Sequence, residues 1–207
     1  MSENNVKKEY ENFQIFRLDG RNVFFEVLRS AFPIGKVQIN FIEYDPNQGN
    51  KQTKNIQTYM DIPKFLVFAN DVLSGKMAYL SKQAKEEKVK KKMKYCSEVF
   101  GDMGGMSAGR VQERIKQEKA KGRNAFNFEV PEGSALSRIL YLTPGERQPW
   151  ILSGQLGLGK ENETGLIVPQ GYPKEIVRVP MDDDGLKAFV LVTQAHIQAY
   201  FGSLYIK

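Results

Sequence analysis

An α+β fold of two strand-rich halves, each a sheet with its own helix, follows from three features of this 207-residue sequence. Residues 36–75 alternate apolar and polar positions through two runs and then switch to a spacing of three and four. Residues 124–205 repeat that order at greater length. The stretch between them, 76–123, has a different composition: 14 Lys or Arg stand there against 6 Asp or Glu, while the rest of the chain holds 16 against 18. The boundaries drawn from these shifts are a flexible N-terminus over 1–11, a first sheet-and-helix half over 12–75, a basic helical arm or linker over 76–123, and a second half over 124–207.

In the first half, NFQIFRLDGRNVFFEVL reads as two short strands about a tight turn, because Asp-Gly between alternating apolar residues is a strong hairpin signal. Phe13, Ile15 and Leu18 are expected on one face. The organising hairpin comes next: Val37, Ile39 and Phe41 alternate with Gln38 and Asn40, YDPNQGN turns the chain, and Ile56, Thr58 and Met60 alternate with Gln57 and Tyr59. Such period-two patterns give a sheet with one apolar and one polar face. Asp61 or Ile62 is expected to cap a helix with Pro63 at its first position and Phe65, Phe68, Ala69, Val72 and Leu73 along its buried stripe.

In the arm, SKQAKEEKVKKKMKYCSEVF reads as one helix over 81–100 with Val89, Met93, Cys96 and Phe100 as a narrow stripe and KVKKKMK as a basic crest. GDMGGMSAG is expected to break it, since glycine is costly in a helix. RVQERIKQEKAKGR then resumes helical propensity with only Val111 and Ile115 to bury, which predicts a marginal or mobile segment. Beyond Asn124, FNFEV, LSRILYL, PWILSGQLGLG, GLIVP and EIVRVP are strand-like runs punctuated by Gly, Pro and Asn. Asp182, Asp183 and Asp184 precede a long apolar helix, whose free amides and positive dipole end they would satisfy. Strand, acidic cap and helix ending at Gly recur in the two halves, a pattern consistent with an internal repeat.

Composition narrows the functional classes. An apolar share of 41%, with 13 Phe and 9 Tyr, marks a folded chain. A net charge of +6 favours a polyanionic partner. One Cys and one His leave no internal disulfide and no Cys/His zinc site. With neither a charged-then-apolar leader nor a long apolar run, a cytoplasmic protein without membrane contact is expected.

The strand-turn-strand-helix ending KVQINFIEYDPNQGNKQ...IQTYMDIPKFLVFANDVL, repeated in looser form in the second half, resembles the single-stranded-DNA-binding superfamily of the Whirly proteins and the positive-cofactor-four coactivators. The resemblance covers Phe13 to Gly75 and Asn124 to Tyr205; the Whirly proteins' basic KGKAAL-type segment is missing, and the basic insertion between the halves is foreign to the family. It implies sheets and helices that pair within one chain or between copies, and an open sheet face that binds unpaired DNA.

The residues support the same reading by their own chemistry: rings stack on bases, and Lys or Arg tracks phosphates. In the first half the expected contacts are Phe16, Arg17, Arg21, Lys36, Gln38, Asn40, Tyr44, Lys51, Lys54, Gln57 and Tyr59. In the second they are Arg138, Tyr141, Arg147, Trp150, Lys174 and Arg178, with Lys88, Lys90, Lys91, Lys92 and Lys94 of the arm on phosphates. The expected function is therefore non-catalytic binding of single-stranded DNA with low sequence specificity, serving replication, recombination or transfer of a plasmid, phage or other mobile element, by a homo-oligomer without cofactor or metal. RNA binding uses the same chemistry and stays open, as does a structural or adaptor role in which the sheets meet a protein.

Other signals weigh less. GQLGLGK fits a phosphate loop, yet Glu161 follows where Ser or Thr should hold magnesium, and the run continues as a strand rather than opening a helix. His196 has no nucleophile partner that spacing can nominate. Cys96, among lysines, reads as packing.

Overall fold

The computed structural model describes residues 13–206; the segment 1–11 expected to be flexible lies outside the described residues. β1 (Gln14–Asp19), β2 (Val23–Leu28), β3 (Lys36–Asp45) and β4 (Lys51–Asp61) form an antiparallel meander in that order, and α1 (Ile62–Leu73) follows at once. Then come α2 (Lys76–Lys90), β5 (Phe100–Met106), α3 (Ala108–Ala120), β6 (Ala135–Pro144), β7 (Trp150–Glu161), β8 (Ile167–Pro169), β9 (Glu175–Met181) and α4 (Asp183–Tyr205). β5, β6 and β7 are antiparallel neighbours, and the far edge of β7 is divided, its first half pairing with β9 and its end with β8. The first half is an antiparallel meander ending in a helix and the second an antiparallel sheet of different connectivity that also ends in a helix, an α+β architecture.

Local chemistry explains the turns. Asp45 accepts from Asn47 N at 2.9 Å and from Gln48 Nε2 at 2.9 Å, closing the β3–β4 hairpin before Gly49 adopts φ 64°. Asp182 caps α4 by accepting from Gly185 N at 2.7 Å. Asp61 heads α1 without such a bond; its carboxylate pairs with Lys36 instead.

The two sheets and all four helices share one hydrophobic core, to which α2 and α3 each give one buried apolar side chain, Met77 and Val111. Phe189 of α4 is its hub, with ring centroids 5.1 Å from Phe25, 5.6 Å from Phe65 and 5.8 Å from Phe16. A helix of the second half therefore packs on a strand and a helix of the first, and neither half closes its core alone. Glycine lets the sheets approach: a β-carbon at Gly154 of β7 would stand 2.4 Å from Cδ2 of Phe41 on β3.

The middle segment departs from expectation. α2 ends at Lys90, Lys92 takes a left-handed φ of 50°, and Val89 is exposed, so the stripe from Val89 to Phe100 does not exist. Met77, Ser81 and Ala84 are what α2 buries. The glycine-rich FGDMGGM, expected only to break a helix, is the edge strand β5 of the second sheet. α3 forms on Val111 with Ile115 partly buried. Leu73, expected on the buried stripe of α1, is exposed.

Candidate nucleic-acid interface

Alternation fixes which side chains leave the first sheet outward. Opposite Phe25, Ile39, Phe41 and Ile56, which face the core, stand Arg17, Glu26, Asn40 and Gln57 in one row, and Gln38 beside Tyr59 in the next. This face has the expected composition, but its polar groups serve one another. Ser30 Oγ donates to Gln38, Gln38 Nε2 donates to Asn40 Oδ1 at 2.9 Å, and Asn40 Nδ2 donates to Glu26 at 3.1 Å. Gln38 and Asn40 are buried, so these amides do not lie on the accessible surface expected of them. Arg17 bonds Asp19 and lies over the Phe24 ring at 3.7 Å from its centroid. That bond to Asp19 and the neighbouring carboxylates hold its guanidinium above the ordinary arginine value, against a smaller effect of burial.

Other first-half candidates scatter. Phe16 pairs with Val27, which sets it on the core face against Phe25 and Phe189 and corrects its expected outward position. Tyr44 is half-buried against Phe24. Lys36 pairs with Asp61 at one end of the β3–β4 hairpin, Lys54 with Glu43 towards the other, and Lys51 and Arg21 are exposed in or beside turns. Gln57 and Tyr59 look sideways from β4 toward the second sheet, where Arg138 meets the Tyr59 ring.

On the second sheet the inward row holds Leu136, Arg138, Leu140 and Leu142, so Arg138 is not on the outer face where it was expected. Trp150 is likewise withdrawn: it is 3% exposed, and its Nε1 donates to Asp183 Oδ1 at 2.6 Å. The outward row is different. Tyr141 on β6, Ser153 and Gln155 on β7 and Arg178 on β9 alternate with the core residues and line a groove of about 800 Å³. Tyr95 and Lys88 wall one end of it, and Arg147 of the β6–β7 turn stands at its rim. Past Tyr141 and Gln155 it continues into a hollow of about 210 Å³ walled by Tyr172 and Pro173. Lys174 is exposed immediately beyond.

Each wall has a local cause. Glycine at 101 leaves room for the Tyr141 ring, since a β-carbon there would come within 2.9 Å of its Cε1. Partial burial, helped by Glu98, pushes the Tyr141 hydroxyl above the usual tyrosine value, keeping the phenol neutral at physiological pH. Gly157 lies 3.0 Å, measured from a β-carbon built there, from the Pro173 backbone, and so lets the segment carrying Tyr172 close over the strand.

Of the arm's lysines, Lys88 lines the groove. Lys88 forms an ion pair with Glu146, which holds the lysine above and the carboxylate below their ordinary values. Lys91 pairs with Glu87, while Lys94 lies 5.2 Å from the Tyr95 ring centroid; Lys90 and Lys92 are exposed. Glu98 and Glu146 are the carboxylates on the groove wall. Sequence reasoning missed Tyr95 and Tyr172, which are 70% and 93% exposed. An aromatic directly behind a lysine run was a usable signal for Tyr95; for Tyr172, in an irregular loop, there was none.

The glycine run 154–159 lies wholly inside β7, so it is a strand rather than a phosphate loop. His196 is exposed on α4, and Cys96 is a half-buried free thiol. Among the described residues, no group of three or more His, Cys, Asp or Glu is placed to hold a metal, and no helix is long and apolar enough to cross a membrane. No family model, curated protein or solved structure matches the chain.

Proposed function

We propose that this protein binds single-stranded DNA, without catalysis and with little sequence preference, along the outer face of its second sheet. The observation that carries the reading is the groove lined by Tyr95, Tyr141, Arg147, Arg178, the amide of Gln155 and Lys88 of the arm, with Tyr172 in the adjoining hollow. Stacking on rings is worth roughly 1–3 kcal/mol per base and is indifferent to base identity, while the cations follow the phosphates. A flat sheet face supplies the spacing, and an unpaired strand alone exposes its bases to the rings.

The recurrence of antiparallel strands followed by a helix is the feature on which the likeness to the Whirly and positive-cofactor-four superfamily rests. Copies associate through the outward side of α4, where Leu191, Phe201 and Tyr205 are exposed, which extends the binding surface. A small cytoplasmic strand binder of this kind suits replication, recombination or transfer of a plasmid, phage or other mobile element.

Fluorescence anisotropy with labelled single-stranded DNA, duplex DNA and RNA at two salt concentrations tests the proposal. Micromolar or tighter binding to single-stranded DNA that weakens steeply with salt is expected. Equal affinity for duplex removes the role of the rings, preference for RNA reassigns the polymer, and no binding to any of the three favours a protein partner.

A further inference from the structure

Arg138 stands on the inner row of β6, opposite Leu156 of β7. A guanidinium taken into a protein normally brings a carboxylate with it, because an unpaired charge away from water is costly. Here it does not. Among the described residues neither Arg138 nor its neighbour Arg114 of α3 makes an ion pair or a hydrogen bond; each has only a ring, Tyr59 at 5.7 Å and Phe126 at 5.5 Å from the guanidinium carbon. Glu118, one turn along α3 from Arg114, is taken by Lys121 and Arg123. Burial is the main cause holding Arg138 below the ordinary arginine value; Tyr59 opposes it, and the like charge of Arg114 adds to it.

Both arginines line one cavity of about 230 Å³, whose wall also carries the amides of Asn55 and Gln57. Glu175 is the carboxylate on that wall, and its Oε1 accepts from Asn127 Nδ2 at 2.8 Å. The cavity shares no lining residue with the groove on the outer face.

We infer that this cavity is a phosphate-binding site in which Arg114 and Arg138 close on one tetrahedral oxyanion while the Asn55 and Gln57 amides donate to it. Planar guanidinium forks match two phosphate oxygens each. An anion seated between the two cations gives both the direct ion pair that neither makes and turns their mutual repulsion into attraction. The same chemistry serves a free phosphate group or a phosphodiester of a strand passing the edge of β4, and the site goes beyond the groove reading because it stands whether or not the groove binds DNA.

Titration calorimetry of the full chain with inorganic phosphate, against chloride at matched ionic strength, tests the inference. Saturable phosphate binding is expected, weakened about 10-fold or more in Arg114→Gln, whose side chain is half-exposed on a helix and whose loss leaves the fold intact. Glu175→Gln, which removes the one carboxylate lining the site among the described residues, should tighten phosphate binding several-fold. No binding beyond that of chloride, or unchanged affinity in Arg114→Gln, overturns the site. Labelled oligo(dT) separates the two sources. A strand displaced by inorganic phosphate and weakened in parallel by Arg114→Gln places a phosphodiester in the cavity. Undisturbed strand binding with loss of phosphate binding assigns a free phosphate group. If oligo(dT) does not bind at all, the groove reading fails while the phosphate titration still decides this one.

Discussion

Gly154 of β7 lies against the ring of Phe41 on β3, so close that a β-carbon would come within 2.4 Å of Cδ2 and 2.7 Å of Cγ. This is the point where the two sheets press together, and Phe41 is fully buried with no open side to move toward. Gly154→Ala should therefore destabilise the protein by about 1–3 kcal/mol through overpacking. Urea denaturation should show a lower midpoint with an unchanged slope. Unaltered stability would mean that the sheets are not packed in this register.

Trp150 is held by Asp183 at the start of α4, so it belongs to the core and not to the interface. Trp150→Phe keeps a ring but leaves the carboxylate without its donor, a loss of about 1.5–3 kcal/mol for a charge-assisted bond. The melting temperature should fall while affinity for single-stranded DNA, measured on the folded variant, stays within about two-fold.

Thr193 is completely buried in α4, and among the described residues its hydroxyl has no partner. Thr193→Val removes that unsatisfied group at nearly constant shape and rotamer preference. Stability should rise by about 1 kcal/mol in chemical denaturation. A fall would show that the hydroxyl is satisfied in solution.

How much of this the residues announce depends on the range of the forces involved. The β3–β4 hairpin and α1 are local: period-two alternation, a turn closed by Asp45, and Phe65, Phe68, Ala69 and Val72 at helical spacing carry them. β5 is not local. FGDMGGM has no alternation of its own, and becomes a strand because Gly101 and Gly105 let Tyr141 and Ile167 lie close against it. Alternation also told which face Gln38 and Asn40 share but not that the face would spend them on Ser30 and Glu26, since a central strand is shielded by its neighbours. Trp150 and Arg138 were misplaced for the same reason: their partners, Asp183 and Tyr59, lie far away in sequence.

In the groove, ring and charge should separate experimentally. Tyr141→Ala should lower affinity for oligo(dT) by about 1–3 kcal/mol, whereas Tyr141→Phe, which keeps the stacking surface, should change it little. Arg147→Gln with Arg178→Gln should flatten the dependence of log affinity on log salt by roughly 0.7 for each phosphate contact removed. Equal losses in Tyr141→Ala and Tyr141→Phe would point to a hydrogen bond in place of stacking.

Photocrosslinking reads the location of the strand itself. A single-stranded oligonucleotide carrying 5-iododeoxyuridine, irradiated on the protein and mapped by mass spectrometry, should attach to Tyr95, Tyr141 or Tyr172 on the outer face of the second sheet. Attachment confined to Tyr44 or Tyr59 of the first sheet, or no attachment under conditions where the strand is bound, would contradict the assignment of that groove.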